Sequence, residues 1–103
     1  MNLDIIKRKV RKNKYVYTHH AEIERKADDL TFDQVEKALL GGEILEYYTD
    51  TGRGESCLIL GFSQDIPIHI VCGHRGEDIV IISMYVPKPP KFSDPWTREE
   101  KNG

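Results

Sequence analysis

The spacing of apolar and polar positions changes character once along the chain. Up to residue 42 apolar side chains recur at three- and four-residue steps, and beyond it they gather in short β-rich runs. Leu3, Ile6 and Val10 predict a short amphipathic helix over residues 2–13. Tyr15-Val16-Tyr17 is β-prone and reads as a short strand or an extended link. Thr18 is placed to cap a second helix over His19–Ala27, with Glu22 and Lys26 as an i, i+4 pair and Asp28-Asp29 as its end. Thr31, with Gln34 three residues on, forms a capping-box pattern for a third helix. Phe32, Val35, Ala38 and Leu39 line its inner side, and Gly41-Gly42 is expected to end it in left-handed geometry.

Residues 43–49 predict the first sheet strand, with Ile44, Glu46 and Tyr48 on one side and Leu45 and Tyr47 on the other. This alternation puts Glu43 and Glu46 on opposite faces. Three apolar runs follow, over 57–62, 66–72 and 79–86. The gaps between them are polar and too short for parallel crossovers, so antiparallel hairpins are expected. The runs are apolar on both sides, which requires cover on both faces or leaves one open as a cleft. A hairpin turning at Gln64-Asp65 sets Leu60 opposite His69 and Cys57 opposite Cys72, the latter as two buried thiols rather than a disulfide. In the last hairpin a one-residue shift decides which face carries Tyr85. Pro87-Lys88-Pro89-Pro90 starts an extended tail, pinned by Trp96 and frayed over residues 97–103. The expected fold is α+β: N-terminal helices packed on an antiparallel sheet of about four strands, in a single domain over residues 1–103.

Composition narrows the class. A 39% hydrophobic and 31% charged chain of 103 residues suits a soluble globular domain. No run approaches the ~20 apolar residues of a membrane span. The N-terminus lacks the pattern of a signal peptide, so a cytoplasmic location is expected. Charge is uneven. Residues 1–14 hold Lys7, Arg8, Lys9, Arg11, Lys12 and Lys14 against Asp4, so this arm is basic, while the rest of the chain is acidic and the total is -2. Such an arm either touches phosphates or is a solvated helix face.

Four residues are candidates for chemistry. His69 stands between Ile68 and Ile70 in a central strand, where it is either held by a carbonyl or carboxylate or titrates on an open part of the sheet. Tyr85 ends the last strand, Arg53 sits between Gly52 and Gly54, and His20 opens the second helix. No metal-ligand spacing, phosphate-binding glycine loop or nucleophile elbow occurs, so no metal and no cofactor are expected.

The combined series His20-Ala21, Asp29-Leu30-Thr31, Gly42-Glu43-Ile44-Leu45-Glu46, Arg53-Gly54, Ser56 to Gly61, Pro67 to Cys72, Ile81-Ile82 with Tyr85 and Pro87, and Trp96 resembles the domain of unknown function 4258 family. That family is similar to RelE/BrnT-like toxin folds, whose members are often encoded beside a YgiT-type zinc-finger antitoxin. The resemblance implies a metal-independent RNA endonuclease acting on free or ribosome-bound messenger RNA and restrained by a partner protein. It implies His69 as base or acid, Tyr85 as its positioning or proton-donating partner, Arg53 as phosphate clamp and His20 as a second acid. Lys7, Arg8, Lys9, Arg11, Lys12, Lys14 and Arg25 would guide the RNA backbone. Related toxins often carry arginine four residues after the histidine matching His20; here Glu24 stands there. The alternatives are a non-catalytic protein-binding module and a structural homodimer joined through the His69 face.

Overall fold

The computed structural model describes residues 1–49, 52 and 54–99. In chain order the elements are α1 (Leu3–Arg11), β1 (Tyr15–Tyr17), α2 (His19–Ala27), α3 (Phe32–Gly41), β2 (Glu43–Tyr48), β3 (Ser56–Ser63), β4 (Ile66–Arg75) and β5 (Asp78–Tyr85). The fold is α+β. Its sheet runs β1-β5-β4-β3-β2, with β2 to β5 antiparallel and β1 added parallel to β5. The fifth strand was the ambiguous Tyr15–Tyr17 stretch; the Ile79 amide donates to the Lys14 carbonyl and the Thr18 amide to the Ile81 carbonyl, which draws it into the sheet. Among the described residues no helix is long and apolar enough to cross a membrane.

All three helices lie on one face. Each begins at a side chain that accepts an otherwise unpaired amide: Asn2 from Ile5, Thr18 from Ala21, and Thr31 from Gln34 in a complete capping box. Ile6, Val10, Ala21, Val35, Ala38 and Leu39 then meet Cys57, Ile59, Ile68, Ile70, Cys72, Ile79, Ile81 and Met84 in the core. The two cysteines face each other as free thiols, and burial pushes Cys57 up to about 11. The end of α3 differs from expectation. Gly42 has φ -84°, so no left-handed turn is made. Glycine is needed for close approach instead: a Cβ there would lie 2.6 Å from Ile59 Cγ2 and 2.7 Å from the Ala38 carbonyl oxygen.

Helix α2 closes the outer edge of β5 where β1 no longer pairs with it. Glu24 accepts from Ser83 Oγ at 2.7 Å and from the Met84 amide at 3.2 Å, and Asp28 accepts from the Val86 amide at 2.8 Å. One helical turn separates the two carboxylates, which matches alternate amides along the strand. An arginine at position 24 could not accept these bonds.

Two bulges set which side chains share the helix-free face. Leu45 is an extra residue between the Ile44–Ile59 and Glu46–Leu58 pairs, so Glu43 and Glu46 lie on the same face, not on opposite ones. Ile82 is extra between the Cys72–Ile81 and Val71–Ser83 pairs, which shifts the register by one and sets Tyr85 beside His69.

The segment after Val86 is neither extended nor frayed as far as Glu99. It turns back and forms a small hairpin, in which Ser93 and Glu99 amides donate to Thr97 and Lys91 carbonyls. Asp94 Oδ1 accepts from the Trp96 and Thr97 amides at the turn. Phe92 pairs with Arg98 and is its buried anchor at 2% exposure, whereas Trp96 is 54% exposed. Trp96 clips the outside, its ring tilted against Phe62 and its Nε1 donating to Glu43 at 3.0 Å.

Among the described residues the Tyr17 hydroxyl is a buried polar atom with no partner, and burial pushes its ionisation up. Its ring meets Phe32 edge-on at 5.3 Å. Tyr17→Phe keeps that contact and removes an unpaired group, so stability stays level or rises by up to ~1 kcal/mol in urea denaturation. A clear loss would show that the hydroxyl is paired in solution.

Candidate functional site

The strand register lines up Glu43, Leu60, His69 and Tyr85 across β2, β3, β4 and β5. Glu46, Leu58, Val71 and Ser83 form the adjoining row. Both rows lie on the helix-free face, and the hairpin of residues 91–99 touches them at Glu43, Glu46, His69 and Tyr85.

His69 is 0% exposed. Rather than standing on an uncovered part of the sheet, the imidazole lies under the folded-back segment. Its Nε2 lies 2.6 Å from the Pro95 carbonyl oxygen, which can only accept, so Nε2 carries a proton. Nδ1 then faces the Tyr85 hydroxyl across a long 3.4 Å contact. The Phe92 ring stands edge-on to the imidazole with centroids 4.4 Å apart. Lys91 Nζ lies 5.4 Å from the Tyr85 ring centre. Beside this cluster Glu46 accepts two bonds from Arg98, at 2.9 and 3.1 Å, and one from the Tyr48 hydroxyl at 2.5 Å.

The environment separates the two titrating groups. Burial holds His69 below the usual imidazole range, against the Pro95 bond and the Glu46 charge, which favour the proton. The hydrogen bond from Arg98 holds Glu46 below the ordinary carboxylate range. Burial pushes Tyr85 up. A depressed imidazole means that the unfolded chain takes up its proton first. The stability from neutral His69 is complete above about pH 6.5 and is lost as pH falls through the lower native pKa. Urea midpoints should therefore fall between pH 7.5 and 5.5, with a flatter profile in His69→Phe. Equal slopes would show that His69 carries no such linkage.

Of the sequence candidates, His69 and Tyr85 come together. His20 is 70% exposed and joins the edge of the site indirectly: Nε2 is 3.1 Å from Glu24, whose charge acts on Tyr85. Arg53 lies outside the described residues. Arg25 is engaged within the fold. Its side chain is 12% exposed, bonded to Glu22 and the Leu30 carbonyl, and stacked 4.0 Å over Phe32. The cations of α1 and Lys14 do not line the His69 face, because α1 packs on the other side of the sheet. Arg8, Lys9, Lys12 and Lys14 edge a separate groove with Ile5 and Glu77.

Glu46, Lys91, Phe92 and Arg98 were missed. The bulge at Leu45 hid Glu46. Phe92, Trp96 and Arg98 fall at even spacing in a segment whose prolines suggested only extension, and that spacing was the available signal for a strand-like return. Farther along the same face a groove of about 490 Å³ stays open, lined among others by Tyr48, Ser56, Gly73, His74 and Val80. Among the described residues no three His, Cys, Asp or Glu side chains converge as a metal-binding group.

The cluster thus combines a carboxylate kept ionised, an imidazole with one donating and one accepting nitrogen, a phenol and two cations. Such groups can give and take protons and hold a negative charge. No curated protein and no solved structure matches the chain. Residues 17–86 match the family described as a domain of unknown function, DUF4258, and the chain belongs to that family.

Proposed function

We infer that the chain is a toxin-like, metal-independent endoribonuclease of a toxin–antitoxin pair, with His69, Tyr85 and Glu46 as its working groups. The observation that carries this reading is the His69–Tyr85 pair beside an ionised Glu46 on the sheet face that no helix of the described residues covers. RNA brings its own nucleophile. Glu46 takes the proton from a 2′-hydroxyl as the O2′–P bond forms. His69, protonated once it meets solvent, gives a proton to the departing 5′-oxygen as the P–O5′ bond breaks. Tyr85 orients the imidazole through Nδ1. The open groove beyond Val71 gives the strand room to continue. The cytoplasm, with messenger RNA free or on the ribosome, is the place of action, and a zinc-finger antitoxin of the YgiT type is the restraining partner. The groove edged by Arg8, Lys9, Lys12 and Lys14 is a second surface for RNA phosphates or for that partner.

The 2.6 Å bond from His69 to Pro95 favours a second reading, in which the imidazole only ties the last segment to the sheet of a binding module. Incubation of purified protein with single-stranded RNA separates the two. Cleavage that disappears in His69→Ala and in Glu46→Gln, with circular dichroism unchanged, supports the nuclease. A His69→Ala chain that melts earlier but cuts as the parent does, or a parent that never cuts, supports the tether.

A further inference from the structure

The hairpin over His69 differs from the rest of the fold in how it is attached. Among the described residues its backbone-to-backbone bonds are internal: Phe92 to Lys88, Ser93 to Thr97, Thr97 to Asp94 and Glu99 to Lys91. It joins β5 through Pro87-Lys88-Pro89-Pro90, where three of four residues have no amide proton to give to a ladder. Its bonds to the body run through side chains: the His69 imidazole on Pro95, Trp96 on Glu43 and Arg98 on Glu46. Releasing it would break no strand pairing and would carry its own hydrogen bonds away intact. The family match also ends at Val86, where this segment begins.

What the segment occupies is equally specific. Phe92 puts a planar ring against the imidazole, beside Tyr85. The Pro95 carbonyl places an oxygen where Nε2–H donates, the position a leaving oxygen would take. Arg98 lays a cation on Glu46. A ring, an accepting oxygen and a charge on the carboxylate fill the three places that the reaction would use.

We propose that residues 88–99 are a strap seated in the ligand track of the helix-free face, and that a ligand reaches His69 only when the strap lifts from it. The ligand class, single-stranded RNA, rests on the ribonuclease reading above; the strap itself does not. The planar seat beside His69 and Tyr85 then takes a nucleobase, and Phe92 is its intramolecular substitute.

The test uses the full chain carrying Phe92→Ser with Arg98→Glu, and separately Trp96→Ala, in case the first does not fold. Emission of Trp96, the only tryptophan, reports release in the double variant. The pH titration of the His69 ring by nuclear magnetic resonance reports access in both. The expected result is a red-shifted Trp96, a His69 midpoint moving toward about 6.5, and at least about tenfold tighter binding of a 12-nucleotide single-stranded RNA. A His69 that titrates freely while the RNA neither binds nor is cut keeps the strap and removes the ribonuclease. A released Trp96 with His69 titrating as in the parent overturns the strap. So does unfolding of both variants, because the segment would then be part of the core.

Discussion

Gly61→Ala should unfold this protein or come close to it. A Cβ at Gly61 would lie 1.8 Å from the Ala38 carbonyl oxygen, 2.4 Å from its carbonyl carbon and 2.7 Å from its Cα. All three are backbone atoms of α3, so no rotamer change relieves the overlap; the helix must shift away from β3. Moving it opens the contacts of Val35, Ala38 and Leu39 against Ile59 and Ile68. Overpacking typically costs 1–3 kcal/mol where side chains can adapt, and here they cannot, so a loss above ~3 kcal/mol is expected. For a domain of this size that lowers Tm by more than about 12 °C. Gly73→Ala is the control on the same sheet, since its nearest neighbour is the Ile82 Cδ1 side-chain tip at 3.0 Å and not backbone. A Gly61→Ala chain with a near-parental Tm would show that α3 does not lie directly on β3.

The second large effect is on activity. In a chain whose strap is released, His69→Ala should lower the rate of RNA cleavage about 10²- to 10⁴-fold, the usual worth of one positioned acid or base. Glu46→Gln should fall in the same range, because the amide keeps the shape but cannot take the 2′-hydroxyl proton. Tyr85→Phe should cost less: the Nδ1 contact is long, so the phenol orients rather than transfers. The two strong variants combined should lose far less than the product of their separate losses, since acid and base act in one step. Additive losses would show two independent contributions instead of one site.

The strap ties that activity to an equilibrium. Burying Phe92 contributes about 2–3 kcal/mol, and an Arg98–Glu46 pair that remains partly exposed adds less than ~1 kcal/mol. A closing energy of a few kcal/mol leaves on the order of 1% of molecules open. The parent chain should then cut RNA slowly and the released chain faster, with the same residues required in each.

Much of the fold was legible because local chemistry and tertiary position agree. Thr18, Thr31 and Gln34 sit where their caps need them, and the Gln64-Asp65 turn fixed the register that faces His69 with Leu60. What was not legible depends on one-residue events. The bulges at Leu45 and Ile82 are each a single insertion in a run of apolar residues, yet they decide that Glu46 and Tyr85 join His69's face. No periodicity argument reveals them, because both registers bury apolar side chains equally well. The strap was hidden for another reason. Its proline-rich start reads as an extended tail with Trp96 as its pin, whereas the ring that is buried is Phe92. Arg25 and Glu24 show the converse case: residues that looked like surface charge are fastened to Leu30, Phe32 and the edge of β5.

Analysis of the RNA ends left by the strap-released chain bears most directly on whether a covered imidazole is the working acid of this fold. If the 2′-hydroxyl is the nucleophile, the fragments should end in a 2′,3′-cyclic phosphate, and a 2′-deoxy substitution at the scission point or His69→Ala should leave the oligonucleotide whole. Intact RNA from a chain whose His69 is shown to titrate in solvent, or fragments that persist in His69→Ala, would contradict it.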